Sequence, residues 1–151
     1  MLEVLVVEDN PNKRNKIVDF IKSSIKNSNV QVCTSFTSGW NKVQGNKFDL
    51  ICLDMSLPTF DQSDSETGGR FRVFGGRELA QKMKRKQIKT KYVFITHYKN
   101  FSDNKKSYSF EELKSELMTE YEESCLDVIF YSNKSSEWRE KLVPLLMEVN
   151  T

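Results

Sequence analysis

Aliphatic runs and helix-period stripes alternate along the chain, and the alternation repeats five times. Strands are predicted at 3–8, 30–34, 48–53, 92–96 and 127–131, where valine, isoleucine, phenylalanine and tyrosine dominate. Runs such as Val4-Leu5-Val6-Val7 and Leu50-Ile51-Cys52-Leu53 carry no polar side, as expected of a strand covered on both faces. Between them lie amphipathic stripes. Ile17, Phe20, Ile21 and Ile25 follow Asn10-Pro11, a cap and a first-turn proline. The stretch 36–44 carries Trp40 and Val43, and Leu79 and Met83 share a face of 76–87. Phe110, Leu113, Leu117 and Tyr121 mark a fourth helix, and Trp138, Leu142, Leu145, Leu146 and Val149 a fifth, with Pro144 inside it as a possible kink. Strict βα alternation predicts an α/β fold: a single doubly wound five-stranded parallel sheet with right-handed crossovers, helices on both faces and one domain over residues 1–151.

Two connections exceed the usual 2–6 residues or so between strand and helix. Met55 to about Phe74 contains Asp61, Asp64 and Glu66 with the pairs Gly68-Gly69 and Gly75-Gly76; His97 to about Ser107 is polar and rich in lysine. Both leave the carboxyl end of a strand, the edge where open α/β sheets bind ligands. The glycine pairs match neither a P-loop nor a dinucleotide fingerprint, so they are read as loop flexibility.

Composition narrows the picture. A chain of 151 residues can bury a full core without disulfides. Its net charge of +2, with 29% charged residues, gives no global case for nucleic acid or an anionic membrane. Lys82-Met83-Lys84-Arg85-Lys86 reads as a solvated helix end, where cations suit the dipole. No apolar run nears the ~20 residues of a membrane span and no signal peptide is evident, so a cytoplasmic location is expected. Cys33, Cys52 and Cys125 lie in or beside predicted strands without metal-type spacing, as reduced core residues do.

The candidate chemistry lies at strand ends. Glu8 and Asp9 close the first strand and Asp54 the third, and in a doubly wound sheet those strands are neighbours. Three converging carboxylates repel one another until a cation intervenes. Oxygen ligands in a shallow site suit magnesium, and the absence of a cysteine–histidine cluster argues against zinc. Beside such an ion an aspartate oxygen can attack an activated phosphoryl group. The product would need a hydroxyl, for which Thr96 at the end of the fourth strand is placed, and a cation, for which Lys134 beyond the fifth strand is the nearest candidate.

With these residues the chain resembles the receiver domains of two-component response regulators, the CheY-like family. The matching features are Glu8-Asp9, Asp54 followed by Met-Ser-Leu-Pro, Thr96, and the order of elements over almost the whole chain. The resemblance implies a flavodoxin-like sandwich with strand order 2-1-3-4-5, magnesium held by Glu8, Asp9, Asp54 and the backbone carbonyl of Ser56, and phosphoryl transfer to Asp54 from a histidine kinase or phosphotransfer protein. It implies a signalling module, not an enzyme, that speaks through a surface of the fourth helix, fifth strand and fifth helix to a downstream protein partner. No direct DNA binding and no membrane association are expected, and no output domain is expected after the last helix. The departures are specific. The family usually has lysine-proline directly after the fifth strand, whereas Tyr131 is followed here by Ser132-Asn133-Lys134. Either the loop brings Lys134 inward or the cation is missing. Enlarged loops and a displaced lysine also suit a pseudo-receiver, an interaction module without phosphotransfer. An aspartyl phosphohydrolase of the haloacid dehalogenase type would want a second aspartate where Ser56 stands.

Overall fold

A computed structural model of the protein describes residues 1–63 and 67–151. Its elements run β1 (Leu2–Val7), α1 (Pro11–Ser24), β2 (Ser28–Cys33), α2 (Phe36–Gly45), β3 (Leu50–Leu53), β4 (Leu57–Pro58), β5 (Phe71–Arg72), α3 (Gly75–Arg85), β6 (Tyr92–Thr96), β7 (Asn100–Ser102), β8 (Ser107–Ser109), α4 (Phe110–Glu120), β9 (Cys125–Phe130) and α5 (Glu137–Val149). Five strands form one parallel sheet in the order β2-β1-β3-β6-β9. Counting only those five, this is the expected 2-1-3-4-5, and the fold is a flavodoxin-like sandwich.

Side-chain alternation divides the core in two. Leu5, Val7, Ile51, Leu53 and Phe94 pack towards α2, α3 and α4. Val4, Val6, Leu50, Val93 and Ile95 pack towards α1 and α5. Both faces are therefore buried, which is why the central strands read as continuous apolar runs; each such side chain contributes roughly 1.5–3 kcal/mol. The chain leaves β1 in one direction to β2 and returns on the other side at β3. The carboxyl ends of β1 and β3 therefore flank the crevice where the strand order reverses.

The two long connections are largely ordered as hairpins, which the sequence reading did not anticipate. β4 and β5 pair antiparallel, Leu57 opposite Arg72. Their loop is tied back to the start of α2: Asp61 accepts from Ser35 at 2.7 Å and Thr34 at 3.1 Å, and Thr37 N–H donates to the Thr59 carbonyl at 3.0 Å. Asp64 and Glu66 lie outside the described residues. Gly68 and Gly69 adopt φ of +90° and +72°, a left-handed turn that glycine tolerates without strain. Gly75 and Gly76 are different, because both are buried and helical in the first turn of α3. The expectation of loop flexibility fails for that pair. β7 and β8 form the second hairpin, pinned by buried Phe101, whose ring centroid lies 6.4 Å from that of Phe74.

Asn10 caps α1 by accepting from Lys13 N–H at 3.1 Å, and Ser109 caps α4 within a capping box completed by Glu112. α5 continues through Pro144. Cys33, Cys52 and Cys125 are free thiols buried in the core. Among the described residues, no helix is long and apolar enough to cross a membrane.

Candidate functional site

The backbone ladders run one residue past the strands and set the site. Glu8 N–H donates to the Cys33 carbonyl at 2.9 Å and Asp54 N–H to the Val7 carbonyl at 3.0 Å, so both acids leave the sheet side by side. One carboxylate oxygen from each of Glu8, Asp9 and Asp54 lies within 4.8 Å of the others. Glu8 and Asp54 are buried, and Asp9 is half-buried. The acids proposed from the sequence do share one crevice.

Gly76 closes against the end of β3. Its N–H donates to the Met55 carbonyl at 2.7 Å, and a Cβ there would overlap the backbone oxygen of Asp54. Ser56 is buried and donates its hydroxyl to the Val73 carbonyl at 2.7 Å, which fixes the turn after Asp54. Thr96 is fully buried at the end of β6, its Oγ1 accepting from Tyr98 N–H at 3.4 Å.

The cation is where sequence and structure part. Lys134 is exposed, and among the described residues none of the ion pairs joins it to the acids. It lines the rim of a cleft of about 290 Å³ with Asn12, His97 and Tyr131. The ammonium that reaches the carboxylates belongs instead to Lys13, whose Nζ is 2.6 Å from Glu8 Oε1, 3.3 Å from Asp54 Oδ1 and 2.6 Å from the Ile95 carbonyl. Only 2% of Lys13 is exposed. It occupies the third helical position of α1, and helical side chains lean towards their N-terminus, here towards the crevice. The sequence held a signal for it that went unread: Lys13, Ile17 and Ile21 are spaced by four and all buried, so the lysine lies on the apolar stripe.

Crowding shows in the proton affinities. Burial first, then the Asp54 charge, pushes Glu8 up to about 8, and the Lys13 ion pair only partly offsets this. Burial and then Asp54 also raise Asp9. For Lys13, burial acts to lower the value, but Asp54 and Glu8 together outweigh it, so the ammonium is held above its ordinary range. Since Glu8 lies above its ordinary 4.5, the folded chain keeps a proton that the unfolded chain has lost. Stability of the metal-free protein should therefore fall as pH rises from 4.5 to about 8. Thermal melts across that range in chelator should show the decline, and magnesium should flatten it. A chelator curve that rises throughout would contradict the assignment.

The donor set fits a hard divalent cation. Glu8 Oε1 is buried without a well-directed hydrogen-bond donor, and once the Glu8 proton is displaced, three carboxylates less one lysine leave two negative charges for a divalent ion to balance.

The family profile described as the response regulator receiver domain matches residues 4–112. The uncharacterized protein y4jR of Sinorhizobium fredii is 29% identical over 140 residues, covering 91% of this chain and 92% of its own length. The Detocs response regulatory protein DtcB of Enterobacter cloacae is 23% identical over 150 residues, covering 98% of this chain and all of its own length. Among solved structures, response regulator TrrA of Thermotoga maritima, crystallised with Mg²⁺ and BeF, superposes with a TM-score of 0.59 at 19% identity over 96% of this chain and 99% of its own.

Proposed function

Because this chain belongs to the response regulator receiver domain family of two-component signalling, we propose that it is a phosphoacceptor whose acceptor is Asp54. Receiver domains are in general signalling modules without enzymatic turnover. The observation that carries the proposal is the convergence of Glu8, Asp9 and Asp54 in the crevice where the strand order reverses. In the transfer, a carboxylate oxygen of Asp54 forms a bond to phosphorus while the bond from phosphorus to the imidazole nitrogen of the donor's phosphohistidine breaks. The electron pair returns to that nitrogen, which takes a proton from solvent. Glu8, Asp9 and Asp54, with the Ser56 carbonyl, would hold magnesium, which when bound neutralises charge on the transferring oxygens. Thr96, buried at the end of β6, supplies a hydroxyl for a new phosphoryl oxygen. A histidine kinase or phosphotransfer protein is the donor, and the new charge biases the α4–β9–α5 face towards a downstream protein.

Incubation with acetyl phosphate and magnesium, resolved on a phosphate-affinity gel, tests this. The wild type should shift and Asp54→Asn should not. A wild type as inert as Asp54→Asn, with no response to magnesium or beryllium fluoride, would leave a pseudo-receiver that acts by binding alone.

A further inference from the structure

We propose that Lys13, entering from the first turn of α1, is the phosphoryl-binding cation of this protein; the inference rests on Asp54 being the acceptor. Three observations carry it. Lys13 is the cation that touches Asp54 among the described residues, at 3.3 Å from Oδ1. Its ammonium donates to the Ile95 carbonyl and is ion-paired with both Glu8 and Asp54, so it is fixed beside the carboxylate. The Ile95 contact also seats it at the carbonyl that precedes Thr96 in the chain.

The end of β9 supplies the complement. Tyr131 follows that strand directly, buried, with its ring 5.2 Å from Trp138 and its N–H donating to the Thr96 carbonyl at 2.8 Å. Lys13 Nζ lies 5.7 Å over the Tyr131 ring. An aromatic floor thus fills the space at this strand end, and the positive charge arrives over it from a different element. A cation at a helix N-terminus opposes the helix dipole. Burying it there is worthwhile only where stronger negative charge awaits it, as Glu8 and Asp54 provide. Among the described residues none of the ion pairs joins Lys13 to Asp9, which leaves that side of the cluster open to a metal.

In the step itself, with acetyl phosphate as donor, Asp54 bonds to phosphorus and the electron pair of the broken P–O bond leaves with acetate. Lys13 keeps its proton throughout and donates a charge-assisted hydrogen bond to a phosphoryl oxygen.

The test uses the full chain as wild type, Lys13→Met and Lys13→Arg. Magnesium is titrated first, then beryllium fluoride in saturating magnesium, read by tryptophan fluorescence and fluorine NMR. Lys13→Met should bind magnesium at least as well as wild type but beryllium fluoride about 10- to 100-fold more weakly, the loss expected for one hydrogen bond to a charged group. Lys13→Arg should recover part of the loss. Equal beryllium fluoride binding by Lys13→Met overturns the proposal and leaves Asp54 as acceptor. So does tighter magnesium binding with undiminished beryllium fluoride binding, which would make Lys13 a stand-in for the metal. A wild type that takes up neither probe removes the acceptor reading itself, and this proposal with it. Should Lys13→Met fail to fold, the ammonium nitrogen resonance of Lys13 in the wild type decides: it should move when beryllium fluoride is added, and an unmoved signal counts against the proposal.

Discussion

Gly76→Ala is expected to lower the melting temperature by roughly 10 °C, although it adds one methyl group. The new Cβ would overlap the backbone oxygen of Asp54 and stand 3.1 Å from Met55 Cα. Neither neighbour is the flexible end of a side chain, so relief requires moving α3 off the sheet or displacing the backbone that follows β3. Overpacking of this kind costs about 3 kcal/mol at the upper end of its usual range, and a domain of this size loses about 2–4 °C per kcal/mol. The damage should reach the crevice, because the atom that must give way belongs to Asp54. Weakened magnesium binding is expected alongside the lower melting temperature. Gly45→Ala is the control, since a Cβ at Gly45 meets nothing within 4 Å. Scanning calorimetry of the two variants decides the matter; a Gly76→Ala protein that melts with the wild type would mean the contact is not as close as described.

The second large effect is expected from Trp138→Ala. This indole is 2% exposed and meets Phe20 edge-on at 5.5 Å and Tyr131 at 5.2 Å. It therefore joins α1, α5 and the end of β9. Removing a buried tryptophan costs about 3–5 kcal/mol, because transfer energy is lost and the surroundings only partly collapse into the cavity. Denaturant unfolding should show a lower midpoint with an unchanged slope. Tyr131 loses its backing in this variant, so the aromatic floor under Lys13 should loosen, and phosphorylation of Asp54 should slow even in the folded fraction. Wild-type stability in Trp138→Ala would place the tryptophan outside the core. Trp138→Phe should recover most of the stability, since it keeps an aromatic ring in the slot.

Much of this architecture was legible in the chain because the same physics acts locally and globally. Val4–Val7 and Leu50–Leu53 have no polar face since both sides of the sheet are covered, and that alone distinguishes a central parallel strand. Tyr92–Thr96 was delimited to the residue, helped by β-branched and aromatic residues throughout. The acids at the ends of β1 and β3 converge because strand order fixes which ends are neighbours. The hairpins β4–β5 and β7–β8 were not visible, since two or three residues of pairing leave no periodicity to detect. Gly75 and Gly76 were misread because glycine at a close approach and glycine in a mobile loop look alike until the neighbouring backbone is known. Lys13 was missed for a related reason. Lysines on helices are usually solvated, and only its spacing from Ile17 and Ile21 set this one apart.

The sealed thiols have a practical side. Burial pushes Cys52 and Cys125 up to about 12 and also raises Cys33, so at neutral pH none presents a thiolate to an alkylating reagent. The wild-type chain should thus behave towards maleimides as though it had no cysteine. A single cysteine introduced at exposed Met147 on α5 could carry a fluorophore or spin label without first deleting the native sulfhydryls, and would report directly on whatever docks there.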